Sequence, residues 1–284
     1  MKSNKEIPLV AIIVPCYNQG QYLGECLDSI LAQTVQDWVC IVVNDGSTDN
    51  TANVAQEYCL KSDKIHYHYQ ENAGLSATRN KGIALTDSEY ILPLDADDML
   101  EPNYLEVVLG LFDQNPEIKI AYTNSLFFGA INRVVEYPTF SMKTILYQNI
   151  ITATALYKRT SFDETDGYDP NLKAREDWDF WLSILDEGDT VAKYWQSLFL
   201  YRQSEGSMSK GVSFKQANKI RAYVYKKHEP KFTKYIDYST LNKYLSLHKK
   251  NWYTVRFKAF NKKVKRKIQK FFIQIGWHNE KTDK

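Results

Sequence analysis

The 284-residue sequence contains no run of about eighteen apolar residues, so nothing in it is suited to cross a bilayer as a helix. Its first stretch, Met1 to Pro8, is polar and lacks the apolar centre of a signal peptide. Cysteine is scarce: Cys16, Cys26, Cys40 and Cys59 are the four, and none stands at metal-ligand spacing from another. Three of them fall inside predicted strands or helices, where a thiol behaves as a small hydrophobe. These absences argue against a disulfide scaffold and a membrane span, and the expectation is a reduced, cytosolic protein. Internal repeats and low-complexity linkers are missing as well.

What is present is the composition of a globular enzyme. Hydrophobic residues make up 44% and charged residues 25%, which suits a folded chain and not a disordered one. The length fits one large domain with an appendage, or two small ones, with a real core. Charge is unevenly spread. From Lys243 onward there are thirteen Lys and Arg against Glu280 and Asp283, a balance of +11 in a chain whose total is +2. An acidic globule therefore carries a basic tail, and that asymmetry points to an anionic surface or partner for the tail.

Strand and helix signals alternate through the first half. Leu9 to Val14 is a continuous apolar run, as expected of a strand covered on both faces. Tyr22, Leu23, Cys26, Leu27, Ile30 and Leu31 recur at helical spacing. Val39–Val43 is the next strand, with Thr48 or Asp49 placed to cap a helix through about Leu60. A short strand at Ile65–Tyr69, a helix at Ala73–Leu85 and a strand at Tyr90–Leu94 follow. A helix is then expected from Pro102, a residue favoured in the first turn, and a strand at Ile118–Tyr122. This order predicts an α/β fold with a largely parallel, doubly wound sheet. Beyond Gly129 the pattern loosens: Thr152–Tyr157 reads as a strand, Trp178–Leu185 as a helix, Val191–Tyr201 as one or two short strands and Phe214–Lys227 as a helix. The expected division is residues 1–128 and 129–230 as two halves of one domain, with 231–284 as a basic helical extension.

Two segments carry most of the chemistry. Ile41-Val42-Val43-Asn44-Asp45 and Leu92-Pro93-Leu94-Asp95-Ala96-Asp97-Asp98 are apolar runs that end abruptly in carboxylates. Such a strand end lies at the edge of a parallel sheet, where α/β folds bind ligands. Three carboxylates within four residues raise one another's pKa, a penalty that a hard divalent cation removes. Oxygen-only ligands point to Mg²⁺ or Mn²⁺. Later, Glu176 and Asp177 stand side by side before the aromatic stretch Trp178-Asp179-Phe180-Trp181. Residues adjacent on a helix point about 100° apart, so only one of that pair can reach a given hydroxyl.

Five motifs in order, Val14-Pro15-Cys16-Tyr17-Asn18, Asn44 to Asp49, Glu71 to Asn80, Asp95 to Asp98 and Glu176 to Asp179, together resemble the family-2 inverting glycosyltransferases of the GT-A fold. The resemblance runs over roughly residues 7–210. It implies a nucleotide-sugar donor, a uridine diphosphate one above all, bound along the first half of the sheet. It implies that Asp45 accepts the base N3–H, that Pro15, Tyr17 and Asn18 form the loop beside the base, and that Asn72, Arg79 and Ala96 belong to the donor site. Counted from a helix start near Ala73, Asn72 and Arg79 can face one cleft, with Arg79 suited to a phosphate or to orienting Asp95. Asp95 is then expected at the ribose and the metal and Asp97 on the metal, with Asp98 supporting the loop or capping the next helix. The resemblance favours Asp177 over Glu176 as general base. The segment Tyr201-Arg202-Gln203-Ser204 departs from the family, which often has a histidine after the arginine as a further metal ligand; Arg202 remains available to the diphosphate, and Glu205-Gly206-Ser207 suits a lid.

In the tail, Phe257, Phe260, Val264, Ile268, Phe271, Phe272 and Ile275 recur at three- and four-residue steps among lysines and arginines, with Trp252 and Trp277 near the ends. Such a basic amphipathic helix at 252–277 suits an anionic bilayer surface, and would place the protein on the inner face of the cytoplasmic membrane. The competing reading packs that helix on its own domain or in a homo-oligomer. A nucleic-acid arm finds no support in motif or fold. Among rival functions, a sugar-nucleotide pyrophosphorylase would need an early glycine-rich basic loop, which is missing. A non-catalytic binding protein would not need both Asp97 and Asp177. The acceptor class that suits the tail is a glycan or a lipid-linked saccharide.

Overall fold

The first apolar run becomes the middle of a parallel sheet. In the computed structural model, which describes residues 7–203 and 213–235, β1 (Val10–Cys16) is buried at every position. It lies between β2 (Trp38–Asp45) and β4 (Tyr90–Pro93), both parallel to it, and β3 (Ile65–Gln70) runs parallel outside β2. The period of two in a strand divides β1 between two cores. Val10, Ile12 and Val14 pack with Leu23, Cys26, Leu27 and Ile30 of α1 (Gly20–Leu31) on one face. Ala11 and Ile13 pack with Val39, Ile41, Val43 and Ile83 on the other, where α3 (Leu75–Ile83) lies. Each fully buried valine or isoleucine contributes about 1.5–3 kcal/mol, so this strand anchors both layers.

The sequence pattern is followed closely here, with small displacements at helix starts. α2 (Thr51–Lys61) has Asn50 at its cap position; Asp49, expected as a cap, instead accepts the Thr51 N–H at 3.0 Å and the Gly20 N–H at 2.9 Å. α4 (Tyr104–Gln114) begins two residues beyond Pro102, whose carbonyl accepts the Thr34 N–H. Between them β5 (Met99–Leu100) follows the acidic turn.

The second half departs from the simple alternation. β6 (Ile118–Gly129) is far longer than the expected Ile118–Tyr122, and β7 (Arg133–Val135) folds back on it. The strand expected over Thr152–Tyr157 shrinks to β8 (Leu156–Lys158), which inserts antiparallel between β4 and β6. β9 (Thr190–Gln203) is one continuous strand, parallel to β6, and its end pairs antiparallel with β5. The sheet order is β3-β2-β1-β4-β8-β6-β9-β5, with β7 attached to β6. Parallel ladders carry most of the pairing, so the α/β expectation holds, while β8 makes the sheet mixed. Because β5 pairs with β9, the acidic turn is held on both sides.

Helices complete the layers: α5 (Met142–Tyr147), α6 (Arg159–Asp163), α7 (Glu176–Ile184), α8 (Phe214–Lys227) and α9 (Glu229–Tyr235). α8 matches the expected span and carries a capping box of Ser213 and Gln216. Asp179 of α7 is buried and takes the Lys227 ammonium at 2.7 Å and the His228 ring at 2.9 Å, which ties α7 to the α8–α9 junction. No helix among the described residues is long and apolar enough to cross a membrane.

Close packing of α3 on the sheet depends on Gly82. A Cβ there would stand 2.5 Å from Ile13 Cγ2 and 3.2 Å from Val43 Cγ2. Gly82→Ala should therefore destabilise by about 1–3 kcal/mol through overpacking. Gly110 of α4 has open space at the same point, and Gly110→Ala should gain about 0.5–1 kcal/mol from helix propensity. Urea titrations of both variants check this; effects of equal sign would refute the packing argument.

Candidate active site

Parallel strands β1, β2, β3 and β4 all end on one edge, and their following loops are fastened to one another there. Asn18 adopts a left-handed φ of 53°; its N–H donates to Ser47 Oγ at 2.9 Å and its Oδ1 accepts the Thr48 N–H at 2.8 Å. The Asn18 amide is thus already employed joining the β1–α1 and β2–α2 loops. Pro15 is buried beneath, and Tyr17 is exposed beside them.

Asp45, 3% exposed at the end of β2, serves as a hub. Oδ1 accepts the Ala73 N–H at 2.8 Å and the Gln70 amide at 2.7 Å, and Oδ2 accepts the Gly74 N–H at 2.9 Å. Asn72 donates its side-chain amide to the Asp45 carbonyl. Gly74 takes φ 87° and ψ 163°, a region open to little but glycine, and this turns consecutive N–H groups toward the carboxylate. The helix start is Leu75, not Ala73, so Asn72 lies in the loop before α3 and does not share a helix face with Arg79.

The acidic turn after β4 is held from several directions. Asp98, 1% exposed, accepts the Arg202 N–H of β9 at 2.8 Å, and so supports the turn rather than capping α4. Arg202 donates Nε to the Asp97 carbonyl and Nη2 to Glu25, with its guanidinium between the rings of Tyr22 and Phe128 at 4.6 and 4.4 Å. Asp97 is pushed up to about 6, first by burial and then by the charge of Asp95. Burial, then the neighbouring Asp97 and Asp95, push Asp98 up as well. Ala96, between the two acidic residues, is fully buried. Gln203, at the end of β9, pairs with Gly129.

Arg79 joins this turn to α7. Its side chain is 1% exposed; Nη2 donates to Asp95 Oδ1 at 2.7 Å and Nη1 to Glu176 Oε1 at 2.6 Å. Burial works against its charge, but Asp95 and Glu176 more than offset that and hold its proton tightly. Of the two expected roles for Arg79, the geometry is that of orienting Asp95, with both terminal nitrogens committed. Glu176 is committed in turn. Its neighbour Asp177 accepts the Trp178 N–H on Oδ1 at 2.8 Å and the Asn149 amide on Oδ2 at 2.6 Å. Burial, then Glu176, pushes Asp177 up to about 7, while Arg79 opposes. Arg175, just before α7, sits at φ 62°, an unusual conformation that marks a constrained helix entry.

Several neighbours were not singled out by motif reasoning. Asn149 contacts Asp177, Gln70 contacts Asp45, and Tyr137 is close enough to feel the charges of both Asp177 and Asp98. Asn80 clamps Tyr168, accepting its N–H and donating to its carbonyl at 2.8 and 2.7 Å, and Arg79 lies over the Tyr168 ring. Only Asn80 lay in a recognised motif; the others are ordinary polar residues in unpatterned segments. Ser204, the lid segment Glu205–Ser207 and the tail helix at 252–277 lie outside the described residues.

Comparison with known proteins places this geometry. The family model for glycosyl transferase family 2 matches residues 11–166. The uncharacterized glycosyltransferase EpsJ of Bacillus subtilis is 30% identical over 267 residues, covering 85% of this chain and 76% of the relative. Other curated relatives are longer, the chain spanning 27% of one and 61% of another. Among solved structures, S. aureus TarS 1-349 in complex with UDP-GlcNAc superposes with a TM-score of 0.68 at 20% identity, over 88% of this chain and 76% of that one. The mannosyltransferase PcManGT of Pyrobaculum calidifontis, in complex with GDP-Man and Mn²⁺, gives 0.61 at 14% identity, over 95% and 81%.

Removing the Arg79 cation would leave two carboxylates unpaired. Arg79→Met is expected to cost about 3 kcal/mol, the low end for a broken buried pair, because the Asp95 side chain remains 27% exposed. Arg79→Lys should recover less than half, since the single nitrogen of a shorter side chain cannot occupy the two separate positions from which Nη2 and Nη1 reach Asp95 and Glu176. Urea midpoints at constant m-value measure both; a loss below about 0.5 kcal/mol would mean the bridge is solvated.

Proposed function

The chain belongs to glycosyl transferase family 2 with the GT-A fold, and from that premise we propose that it is an inverting glycosyltransferase using a UDP-sugar donor, a divalent cation and Asp177 as general base. The acceptor is a hydroxyl of a glycan or lipid-linked saccharide. The observation that carries this reading is the Arg79 bridge. One guanidinium contacts both Asp95 and Glu176, so the acidic turn of the donor half and the α7 terminus bearing Asp177 meet at one place.

Donor binding is assigned to residues 1–128. Asp45 uses three of its roughly four acceptor directions on the Ala73 and Gly74 N–H groups and the Gln70 side-chain amide, which leaves one for the N3–H of a uracil. Tyr17, exposed on the β1–α1 loop, is available to the base, while Pro15, Asn18 and Asn72 shape the loops around it. The uridine choice is supported by Asp45 and by the UDP-GlcNAc bound to TarS.

Asp95 and Asp97 suit a hard cation. They are two crowded carboxylates with Asp97 raised by burial and by Asp95, and the rest of a coordination shell would come from diphosphate oxygens and water. Among the described residues no group of three or more His, Cys, Asp or Glu is arranged to hold a metal unaided. Gln203 and Ser204, standing where relatives often have histidine, fit that sparse donor set. Asp97 and Asp95 would hold Mn²⁺ or Mg²⁺ there, and the ion would supply charge neutralisation for the departing UDP. Arg202 steadies the same turn through the Asp97 carbonyl.

In the transfer, Asp177 takes the proton of the acceptor hydroxyl as its oxygen forms a bond to the anomeric carbon. The bond from that carbon to the phosphate oxygen breaks on the opposite face, and its electron pair leaves with UDP. Glu176 is bound to Arg79, which favours Asp177 as the free base. The second half, 129–230, forms the acceptor side. The basic segment 231–284 is assigned to peripheral contact with the inner face of the cytoplasmic membrane or with a second subunit.

Three outcomes follow. UDP binding measured by calorimetry should fall at least tenfold with a chelator or with Asp97→Ala; equal binding in all conditions would remove the cation. Asp177→Asn should lower transfer by about 10²–10⁴ with UDP binding intact. Full activity in Asp177→Asn with a dead Glu176→Gln would reassign the base to the neighbour. Because Asp177 must be ionised to accept a proton, transfer should rise with pH through about 7, and a flat profile from pH 6 to 8 would contradict its titration there.

A further inference from the structure

Asn149 lies in the segment between α5 and β8, with no motif around it, yet it makes the shortest polar contact to the candidate base. Its Nδ2 donates to Asp177 Oδ2 at 2.6 Å, and its Oδ1 accepts the Ile151 N–H at 3.3 Å. That second bond decides the orientation of the amide, since an N–H cannot face the NH₂ end, so a donor must point at the carboxylate. The segment is held in place independently of Asp177. Ile150 and Ile151 are each 1% exposed, and the Thr152 hydroxyl donates to the Thr154 carbonyl. The Trp178 indole donates to the Ile145 carbonyl of α5 at 2.6 Å, which fixes the distance between α5 and α7.

We propose that Asn149 is a positioning residue for sugar transfer, holding the Asp177 carboxylate ionised and in one orientation for the acceptor hydroxyl. The inference rests on the reading of Asp177 as base. Two N–H groups, one per oxygen, grip the carboxylate from the Trp178 backbone and from Asn149, and each oxygen keeps a lone pair for the incoming proton. The charged and titratable groups around Asp177 divide into two sets. Glu176 on its own helix and Asp95 from the acidic turn disfavour a second negative charge, as does burial, while the Tyr137 and Tyr168 phenols, themselves pushed up by burial, stay neutral beside it. Arg79 from α3 favours it, but already carries Asp95 and Glu176. Neutral donors that never titrate are what remain to hold the proton off Asp177, and these are the Trp178 N–H on one oxygen and Asn149 on the other.

The test uses the full chain and two variants, Asn149→Ala and Asn149→Asp, compared with Asp177→Asn. Wild-type transfer is followed across pH 6–9 with saturating donor, alongside UDP calorimetry and melting. Asn149→Ala should lower kcat at pH 7 about fivefold, move the acidic limb of the profile up by about one unit, and recover most of the loss at pH 9. UDP affinity should not change. Asn149→Asp keeps the shape and the Ile151 contact but turns the donor into an acceptor, so its limb should move further. Unshifted limbs and wild-type kcat in both variants, with Asp177→Asn inactive, would overturn the role of Asn149 and leave the base in place. An active Asp177→Asn would overturn the base itself. Loss of fold and of UDP binding in Asn149→Asp would make the residue structural and would also overturn the proposal.

Discussion

The guanidinium of Arg79 is the contact on which the remaining site geometry depends. It is buried, 97 residues from one partner and 16 from the other, and it is the point where α3, the acidic turn and α7 meet. A charge removed from water is costly unless it is paired and hydrogen-bonded, and here two carboxylates do both. A planar fork presents two donors in fixed directions, so the pairing sets distance as well as charge. The Nε atom, buried and without a hydrogen-bond partner among the described residues, shows that the two acid contacts outweigh complete satisfaction of the side chain.

The two acidic strand ends solve opposite electrostatic problems. Asp45 is surrounded by N–H groups from the β3–α3 loop, so its charge is stabilised by dipoles and it organises that loop. Asp95, Asp97 and Asp98 are surrounded by one another, so their proximity is held by the fold against repulsion. The restraints come from far away in sequence: β5 pairs with β9, Asp98 accepts the Arg202 N–H, and Arg202 lies between Tyr22 and Phe128. A turn restrained in this way is already in place before any ligand arrives, which is what the proposed cation site requires.

α7 is similarly over-determined. Its first turn faces the site through Glu176 and Asp177, and Asp179 holds Lys227 and His228 on its other side. Trp178 and Trp181 are almost wholly buried, and Phe180 stacks on Tyr168 at 4.3 Å. The motif Glu176-Asp177-Trp178-Asp179 thus combines four different tasks in one turn: an ion pair to Arg79, a carboxylate held by neutral N–H donors, a core anchor and a latch to the last described helices. Helix periodicity explains why neighbours in sequence take such different surroundings.

How much could be read in advance follows from the range of each interaction. The parallel core was legible because continuous apolar runs, helical spacing and turn residues are local signals; β1, β2, β3, β4 and α8 stand close to where the pattern put them. The acidic motifs were legible because carboxylates crowded at a strand end are chemically conspicuous. Local sequence pattern was enough for those elements and for the kinds of group at the sheet edge. Which strands lie side by side was settled by long-range packing, since three residues of β8 carry no pattern that announces an antiparallel insertion between β4 and β6. That packing alone also allotted Glu176 to Arg79 and left Asp177 to Asn149, because adjacent carboxylates are equivalent in sequence and are distinguished only by the donors that distant segments bring to them.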